Sequence, residues 1–379
     1  MNNNFEVTKT IDLPIFKKYK NDCINCKKCV KSCIFLQEYC NSPKDFLNDL
    51  NETKKINEIM PYYCSLCGCC KRECPKDINM GDVFQSLREE ITTKNKGIPP
   101  INNAKIMEFH QYFSNKKVFT GILGNVKTKI FFMPGCSLNG YGNDLSLKTY
   151  KYLSEHIDNL GLILNCCNKP TLDLGKRDLF NKKFHSFVEE LKKFNNGDIE
   201  IITACQSCFK ILKQEAPELK ITSLWALFKE FDIPKSEILK GKDSELEFSI
   251  KDSCQGLDYN EIQDGIRYIM CRLGYKFDNP KVSNTCCGLG GLVHLSNPNL
   301  SNKIKVNSLN QLKSKRVVTY CGGCLGTVNN SAKTAYHILE LIFESNETLK
   351  NRDSLNMSTI SNWQNRYTVA SKFKKLVRK

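Results

Sequence analysis

Two cysteine-rich stretches, CINCKKCVKSC at residues 23–33 and CSLCGCCKRECP at residues 64–75, determine how the first part of the chain folds. In each stretch, four cysteines are separated by two, two and three residues. A short loop with this spacing can wrap a cuboidal cluster and present three thiolates to its irons, while the fourth cysteine ligates the other cluster of the pair. Zinc would need only four ligands, usually as two separated pairs. The stretches therefore predict two [4Fe-4S] cubanes. Cluster one is assigned Cys23, Cys26, Cys29 and Cys74, and cluster two is assigned Cys64, Cys67, Cys70 and Cys33.

Two further cysteine sets follow, and each reads as a lone Cys, a Cys-Cys pair and a Cys-x2-Cys. The first set is Cys136, Cys166, Cys167, Cys205 and Cys208, and the second set is Cys254, Cys286, Cys287, Cys321 and Cys324. Matching cysteines of the two sets are separated by 118, 120 and 116 residues. This agreement indicates an internal repeat, with the two halves related by a pseudo-two-fold axis. Predicted strands end at the cysteines, which is where open α/β sheets place their sites.

Three of the 21 cysteines belong to none of these sets. Cys69 is treated as a spare, because Cys70 keeps the spacing of the first stretch. Cys40 and Cys271 are interpreted as small buried hydrophobic residues.

Composition bounds the class of protein. The chain has 379 residues, 41% of them apolar, so it is long enough for two or three globular domains. It has no apolar run of membrane-spanning length and its first residues, MNNNFEVTKTIDLP, do not resemble a secretory signal. We therefore expect a cytoplasmic protein, where cysteines at this spacing bind metal. The formal charge of +16 favours acidic partners such as a ferredoxin, or an anionic membrane surface. No nucleic-acid module is visible, so no nucleic-acid partner is expected.

The predicted fold class is α+β and multidomain. A helical two-cubane ferredoxin-like module occupies residues 1–95, followed by a linker and a connecting helix over 96–127 that ends near Gly121. A duplicated α/β domain follows, its first copy at 128–240 and its second at 241–350, with one helix predicted over 260–273. Strands are predicted to end at Cys136, Cys205, Cys254 and Cys321.

The last segment, 351–379, is a basic tail. After Asp353 it has no acidic residue, and it carries six Lys or Arg together with four large apolar or aromatic residues. The simplest interpretation is a frayed, solvated terminus. The alternative is an amphipathic segment that contacts a membrane surface or an acidic subunit. Its basic residues are Arg366, Lys372, Lys374, Lys375, Arg378 and Lys379.

The second cysteine set resembles the Cys-Cys-Gly motif of the heterodisulfide reductase family. It reads Cys254-x31-Cys286-Cys287-Gly288-x32-Cys321-x2-Cys324, and the first set has Asn168 where the motif has Gly. A side chain at that position is a handicap where the backbone turns tightly. A two-cubane module joined to two such motifs resembles the fused catalytic subunit of these reductases. It is also similar to the iron–sulfur subunits of glycolate oxidases and of anaerobic glycerol-3-phosphate dehydrogenase.

The resemblance implies a specific chemistry. Each five-cysteine set would bind a non-cubane [4Fe-4S] cluster, and a disulfide substrate held between the two facing clusters would be split. The ten cysteines of the two sets would then be the catalytic residues of a heterodisulfide reductase-like oxidoreductase subunit. The alternative for one of the sets is a structural zinc ion.

A second hypothesis is an electron-transfer subunit. A separate flavin-dependent dehydrogenase would oxidise a 2-hydroxy acid or glycerol 3-phosphate, and this chain would pass the electrons to a quinone or a ferredoxin. Gly288, Gly290 and Gly291 do not fit a dinucleotide-binding motif, so a partner must supply or accept electrons under either hypothesis. That partner would be a flavoprotein, a ferredoxin or a membrane cytochrome, the last placing the chain on the inner face of the membrane. A third hypothesis is a zinc-stabilised scaffold. His294 is the one histidine near a cysteine pair.

Overall fold

The computed structural model describes residues 4–142, 144–278, 285–329, 331–352 and 358–376 of a mixed α/β protein. The chain divides into two compact units, and neither is continuous in sequence. The first unit comprises Met1–Gln111, Asn168–Lys182 and Asn284–Asn310; the second comprises Tyr112–Cys167, Lys183–Ser283 and Gln311–Lys379. The domain boundaries given above stay a prediction.

The described residues form eleven strands. They are β1 (Asn4–Glu6), β2 (Lys55–Asn57), β3 (Ile122–Leu123), β4 (Ile130–Met133), β5 (Gly161–Ile163), β6 (Glu200–Thr203), β7 (Lys220–Ser223), β8 (Glu247–Ile250), β9 (Lys276–Asp278), β10 (Arg316–Thr319) and β11 (Thr334–His337).

Helices make up most of the remaining ordered structure of the described residues. The α-helices are Lys9–Asp12, Pro14–Asp22, Lys28–Lys31, Ile34–Tyr39, Pro43–Thr53, Cys69–Glu73, Met80–Lys94, Ala104–Ser114, Cys136–Tyr141, Leu145–Ser154, Lys169–Asp173, Arg177–Leu191, Gln206–Glu215, Leu224–Phe231, Asn260–Leu273, Val293–Ser296, Pro298–Leu309, Gly322–Asn329, Ile338–Phe343, Asn346–Lys350 and Thr359–Leu376. Short 3-10 helices are Met60–Tyr63, Asn195–Gly197, Lys235–Glu237 and Gly290–Leu292. No described helix combines the length and the apolarity that crossing a bilayer requires.

The helix Met80–Lys94 is the centre of the first unit. Val83, Phe84, Leu87 and Ile91 recur at helical spacing and are fully buried, which gives the helix one apolar face. Near its C-terminal end, Glu90 accepts hydrogen bonds from the backbone N–H groups of residues 8, 9 and 10 at 2.7–3.0 Å. The helix thereby fixes the start of the chain, where β1 pairs antiparallel with β2.

The second unit contains two sheets with the same order of parallel strands. In one, β5, β4, β6 and β7 are neighbours, with β3 added antiparallel at the edge beside β5. In the other, the order is β9, β8, β10 and β11. Parallel strands end at the same edge of a sheet, so the residues that follow them lie close together. The cysteines predicted to follow strands do so, after β4, β5 and β6 in one sheet and after β8 and β10 in the other.

Two helices of the second unit cross at a glycine. The helix Leu224–Phe231 packs against the helix Asn260–Leu273, which spans the range predicted from the sequence. A Cβ atom at Gly265 would lie 2.1 Å from the carbonyl oxygen of Trp225. Because that distance is far inside van der Waals contact, only glycine permits this approach of the two backbones.

Three predictions need correction. The connecting helix ends at Ser114, not near Gly121, because the chain then extends to form β3 at the edge of a sheet. Cys271 is exposed, whereas Cys40 is buried as predicted.

The third correction concerns the basic tail. It is no solvated terminus over residues 359–376, where it forms a helix with buried Arg366, Val369, Ala370 and Phe373. Arg378 and Lys379 lie outside the described residues, and a membrane contact of the tail stays a prediction.

Candidate iron–sulfur sites

The eight cysteines of the two stretches line two separate cavities in the first unit. Cavity one is lined by Cys23, Cys26, Cys29 and Cys74, with Ile24, Lys27, Pro43 and Ile78 around them. Cys74 comes from the second stretch, so the first three cysteines meet the last one across 41 residues of intervening sequence, residues 33 to 73. This is the grouping assigned to cluster one.

Cavity two holds the complementary set. Its wall includes Cys33 from the first stretch and Cys64, Cys67 and Cys70 from the second. Cys69 is also in the wall, and its thiol donates to the carbonyl oxygen of Ser32 at 3.5 Å. The remaining lining is largely apolar, and it includes Cys286. A cavity with four convergent thiols and apolar surroundings suits a cluster whose potential depends on solvent exclusion.

The loops that carry the two stretches share an unusual backbone conformation. Asn25 and Lys27 flank Cys26 and have φ values of 55° and 58°, and Leu66 and Gly68 flank Cys67 with values of 51° and 73°. Left-handed residues on both sides of the middle cysteine turn the loop sharply. Three of these four residues are not glycine, and such conformations persist where the surrounding structure enforces them.

Burial keeps the thiols of both cavities protonated. It raises the pKa of Cys29 to about 11, with the charges of Cys74, Cys23 and Cys26 adding to the effect. It raises the pKa of Cys33 to about 12, with a further contribution from Cys67. Thiolates in such places need a cation, and metal ligation supplies one.

A buried arginine fixes the loop that begins cavity two. Arg88 is fully buried and donates to the carbonyl oxygens of Pro61, Cys64 and Asp173 at 2.6–3.1 Å. Burial lowers its pKa, while the nearby charges of Asp173, Cys64 and Tyr62 oppose that shift. The sequence analysis did not single out Arg88, because its role depends on carbonyl groups from three separate segments.

The first five-cysteine set converges in the second unit. Cys136 begins a helix after β4, Cys166 and Cys167 follow β5, and Cys205 precedes the helix that contains Cys208. The thiol of Cys136 is hydrogen-bonded to that of Cys166, which with burial raises its pKa. Cys208 is hydrogen-bonded to Cys167 and to Cys205, and these bonds raise its pKa. The set is therefore held together by direct contacts between its thiols.

The two sets approach each other at this point. The pKa of Cys205 is lowered by its hydrogen bond with Cys208, whereas burial and the charge of Cys321 from the second set act against that shift. Beside them, a Cβ atom at Gly322 would lie 2.4 Å from the Cβ atom of Ser137. The residues that follow Cys136 and Cys321 therefore touch, and two cysteine-bearing strand ends from different sheets lie together.

The second set is divided between the units. Cys254, Cys321 and Cys324 belong to the second unit, and Cys286 and Cys287 belong to the first. Gly288 follows the pair with a φ of +84°, and a Cβ atom there would lie 2.5 Å from the carbonyl oxygen of Ser301. Its N–H donates to the sulfur of Cys286 at 3.3 Å. This glycine is required both by its backbone conformation and by the close approach.

Buried hydroxyl groups next to the cysteines suit a sulfur-rich ligand. Within the described part of the chain, the side-chain oxygens of Ser65, Ser253 and Thr319 are buried without a hydrogen-bond partner. Each lies within two residues of an assigned cysteine, and Ser65 lines cavity two. Hydrogen bonds to cluster sulfurs are an established means of tuning iron–sulfur centres, so these donors fit such a group.

Other single residues carry less. Burial lowers the pKa of His294, whose Nδ1 is among the buried atoms without a partner in the described residues. Across the described chain, no three His, Cys, Asp or Glu side chains converge as a single metal ion would need. The thiolates of a four-iron cluster are held further apart than the ligands of one ion. A zinc ion in either cysteine set stays a prediction.

Comparison with protein families gives two matches. The cysteine-rich domain family, CCG, matches residues 130–213 and again residues 250–329. The 4Fe-4S dicluster domain matches residues 22–79. All the cysteines of the two stretches and the two sets lie within these three ranges.

Several archaeal proteins are similar over most of the chain. A fumarate reductase (CoM/CoB) subunit of Methanothermobacter marburgensis is 24% identical over 330 residues, 80% of this chain and 66% of that protein. An uncharacterised iron–sulfur protein of Methanococcus maripaludis is 22% identical over 353 residues, 83% of this chain and 68% of that protein. A dihydromethanophenazine:CoB–CoM heterodisulfide reductase subunit of Methanosarcina acetivorans is 24% identical over 265 residues, 63% of this chain and 64% of that protein.

The chain thus spans about two thirds of the length of the curated relatives it matches. Two of these relatives are subunits of oxidoreductases, and the matched domains account for the cysteines that the sequence singled out. The chain is an iron–sulfur electron-transfer protein of the heterodisulfide reductase family, with one 4Fe-4S dicluster domain and two cysteine-rich CCG domains.

Proposed function

We propose that the chain relays single electrons through two cubane clusters to a pair of non-cubane [4Fe-4S] centres, and that it reduces a disulfide-type substrate there. The observation that carries the proposal is the wall of cavity two. In it, Cys286 of the second cysteine set lies among the thiols assigned to cluster two. A relay needs its successive sites close together, and this wall joins one site of the dicluster domain to a cysteine of a CCG domain.

The cavities suggest a direction along the relay. Cavity one is lined only by residues between 23 and 78, and its Cys26 is exposed together with Lys27 and Lys28. Cavity two is the one that includes Cys286. Cluster one would therefore exchange electrons with a partner, and cluster two would exchange them with the second CCG centre.

Two glycines bring the second cysteine pair close to cavity two. A Cβ atom at Gly290 would lie 2.8 Å from the carbonyl oxygen of Ser65, and one at Gly291 would lie 2.4 Å from that of Cys64. The backbone after the cysteine pair therefore touches the backbone that carries a ligand of cluster two. Larger residues would push the two segments apart and lengthen the electron path.

The two CCG sites suit a reaction of two electrons. Clusters bound there would supply one-electron redox chemistry, and a disulfide takes up two electrons and two protons to give two thiols. The proximity of Cys205 to Cys321 supports a pair of sites that act on one substrate. The buried thiols of Cys166, Cys167 and Cys208 exclude water from the first site. The second site is assigned Cys254, Cys286, Cys287, Cys321 and Cys324 from the sequence, and the shared strand order of the two sheets supports the predicted duplication.

The first test is the metal content of the full chain after anaerobic purification. Two cubanes and two four-iron centres require about sixteen irons and as many acid-labile sulfides per chain. A result of about eight irons after chemical reconstitution would contradict the proposal, and zinc in place of the missing iron would identify a structural site.

The second test separates the two kinds of function. With a reduced dye as donor, the loaded protein should reduce an organic disulfide, and Cys286→Ser should lose that activity. Cys271→Ser is the matched control, because that thiol is exposed and lies outside every set. Full iron content without disulfide reduction, combined with electron uptake from a flavoprotein dehydrogenase, would favour the electron-transfer subunit of such a dehydrogenase.

A further inference from the structure

The described part of the second unit contains a buried cation without an anionic partner. Arg366, on the C-terminal helix, is 6% exposed. Within the described part of the chain, its guanidinium makes one hydrogen bond, to the hydroxyl of Ser114 at 3.0 Å, and no ion pair. Its guanidinium carbon lies over the ring of Trp363 at 4.3 Å from the centroid, and 5.6 Å from that of Phe119.

These neighbours do not neutralise the charge. A buried guanidinium has five N–H donors and keeps its proton at every accessible pH. Removing such a charge from water is costly unless an opposite charge and hydrogen bonds replace the lost hydration. One hydroxyl and two aromatic faces replace part of it. An anion at this position would complete the site.

Arg366 faces the helix that begins at a predicted cluster ligand. Its Cγ lies 3.6 Å from the position of a Cβ atom on Gly140, and Gly140 is one turn after Cys136 on the helix Cys136–Tyr141. Residues four apart on a helix share a face. The neighbouring Asn365 donates to the carbonyl oxygen of Gly140 at 3.1 Å. The C-terminal helix is therefore held against the same side of the helix that presents Cys136.

The electrostatics agree with this placement. The pKa of Cys136 is raised by its hydrogen bond to Cys166 and by burial, and the charge of Arg366 acts in the opposite direction. The guanidinium therefore favours negative charge at the first cysteine set. Cysteine-ligated iron–sulfur clusters carry net negative charge, and their potentials depend on the charges around them.

We infer that Arg366 is the counter-cation of the iron–sulfur centre at the first cysteine set, through which the C-terminal helix senses whether that centre is present and reduced. The inference rests on the proposed cluster at Cys136, Cys166, Cys167, Cys205 and Cys208. One-electron reduction adds negative charge to that centre, and a nearby fixed cation stabilises the reduced form. Arg366 thereby makes the first centre easier to reduce, and the centre stabilises the docked helix in return.

The test compares three variants of the full, iron-loaded chain by EPR-monitored redox titration. Arg366→Met keeps the length of the side chain and removes the charge, and Arg366→Lys keeps the charge. Lys372→Met is the matched control, since that cation is on the same helix but half-exposed and paired with Asp144. Arg366→Met should lower the midpoint potential of one centre only. At the wild-type midpoint, the ratio of reduced to oxidised centre should fall about tenfold. Arg366→Lys should restore most of it.

Hydrogen exchange gives a second readout that does not depend on activity. In the wild type, loading the chain with iron should slow amide exchange in residues 359–376, and Arg366→Met should abolish that difference. Arg366→Met that loads fewer irons, with Arg366→Lys restoring them, would also support the inference. Unchanged potentials and unchanged exchange in a fully loaded Arg366→Met protein would overturn it. A wild type that binds only about eight irons would instead contradict the proposed function on which it rests.

Discussion

At the scale of single residues, the position after each cysteine pair shows how a departure from a motif is accommodated. Gly288 has a φ of +84°, and Asn168, which replaces glycine in the first copy, has a φ of +57°. Both are left-handed, so the position requires that conformation in either copy. Asparagine adopts it more readily than most residues with a side chain. The first motif therefore keeps the same turn without its glycine.

A second residue, His337, links stability to pH. It is fully buried, and its Nδ1 accepts a hydrogen bond from the N–H of Leu339 at 3.2 Å, capping the helix Ile338–Phe343. Burial, with the charge of Arg352, lowers its pKa from 6.5 to about 3. The unfolded chain therefore binds a proton that the folded chain resists between these values.

The sign of the pH effect follows. Stability is complete above pH about 6.5 and falls as pH drops, by up to about 1.4 kcal/mol per unit. We expect His337→Asn, whose amide oxygen still accepts at the helix cap, to flatten the fall of Tm between pH 8 and 5.5. Thermal melts of the two proteins across that range provide the measurement. His185→Asn, at an exposed site, should keep the wild-type slope, and an equally steep slope in His337→Asn would refute the assignment.

At the scale of elements, the C-terminal helix was the hardest to predict. Its basic residues suggested a solvated tail, yet buried positions 366, 369, 370 and 373 follow a helical repeat along the sequence. That periodicity is a signal for an amphipathic helix, and only its packing partner was unknown. The partner is the helix Cys136–Tyr141, which lies more than two hundred residues earlier in the chain. A contact of such sequence separation is a property of the tertiary structure.

This packing predicts how the protein responds to substitutions on the helix. Phe373 is fully buried, and its ring meets that of Tyr150 edge-on at 5.4 Å between centroids. Phe373→Ala should cost about 3–5 kcal/mol, since it removes a large buried side chain and leaves a cavity. Tyr367→Ala, on the same helix but 54% exposed, should stay within about 0.5 kcal/mol of the wild type. Thermal unfolding under anaerobic conditions would compare them, and equal Tm values would mean that the helix is not docked.

At the scale of the whole molecule, charge distribution governs the encounter with a partner. The chain has a formal charge of +16, and Lys27, Lys28 and Lys31 are exposed close to the exposed Cys26 of cavity one. Fields of this kind steer oppositely charged partners to a site. An acidic ferredoxin is therefore the partner that suits the proposed entry point.

Electron transfer from such a ferredoxin should depend on salt. Raising the ionic strength from about 0.05 to 0.5 M shortens the screening length several-fold, so we expect the second-order rate from an acidic ferredoxin to fall by about tenfold or more. A neutral reduced dye is the control and should show little change. Lys28→Glu should reproduce the loss at low salt. Stopped-flow reduction of the loaded chain measures these rates, and salt-independent transfer from the ferredoxin would exclude this surface as the point of entry.

The sequence by itself determined the ligand chemistry, because cysteine spacing is local: a loop of Cys-x2-Cys-x2-Cys can reach three corners of one cluster wherever it lies. It also determined the repeat and the strand ends that carry the cysteines, because both follow from periodicity. The tertiary structure alone decided which buried groups surround those cysteines. Arg88, the unpartnered hydroxyl of Ser65 and the guanidinium of Arg366 acquire their roles from segments distant in sequence. Burial and charge depend on everything packed around a residue, and no local pattern encodes that.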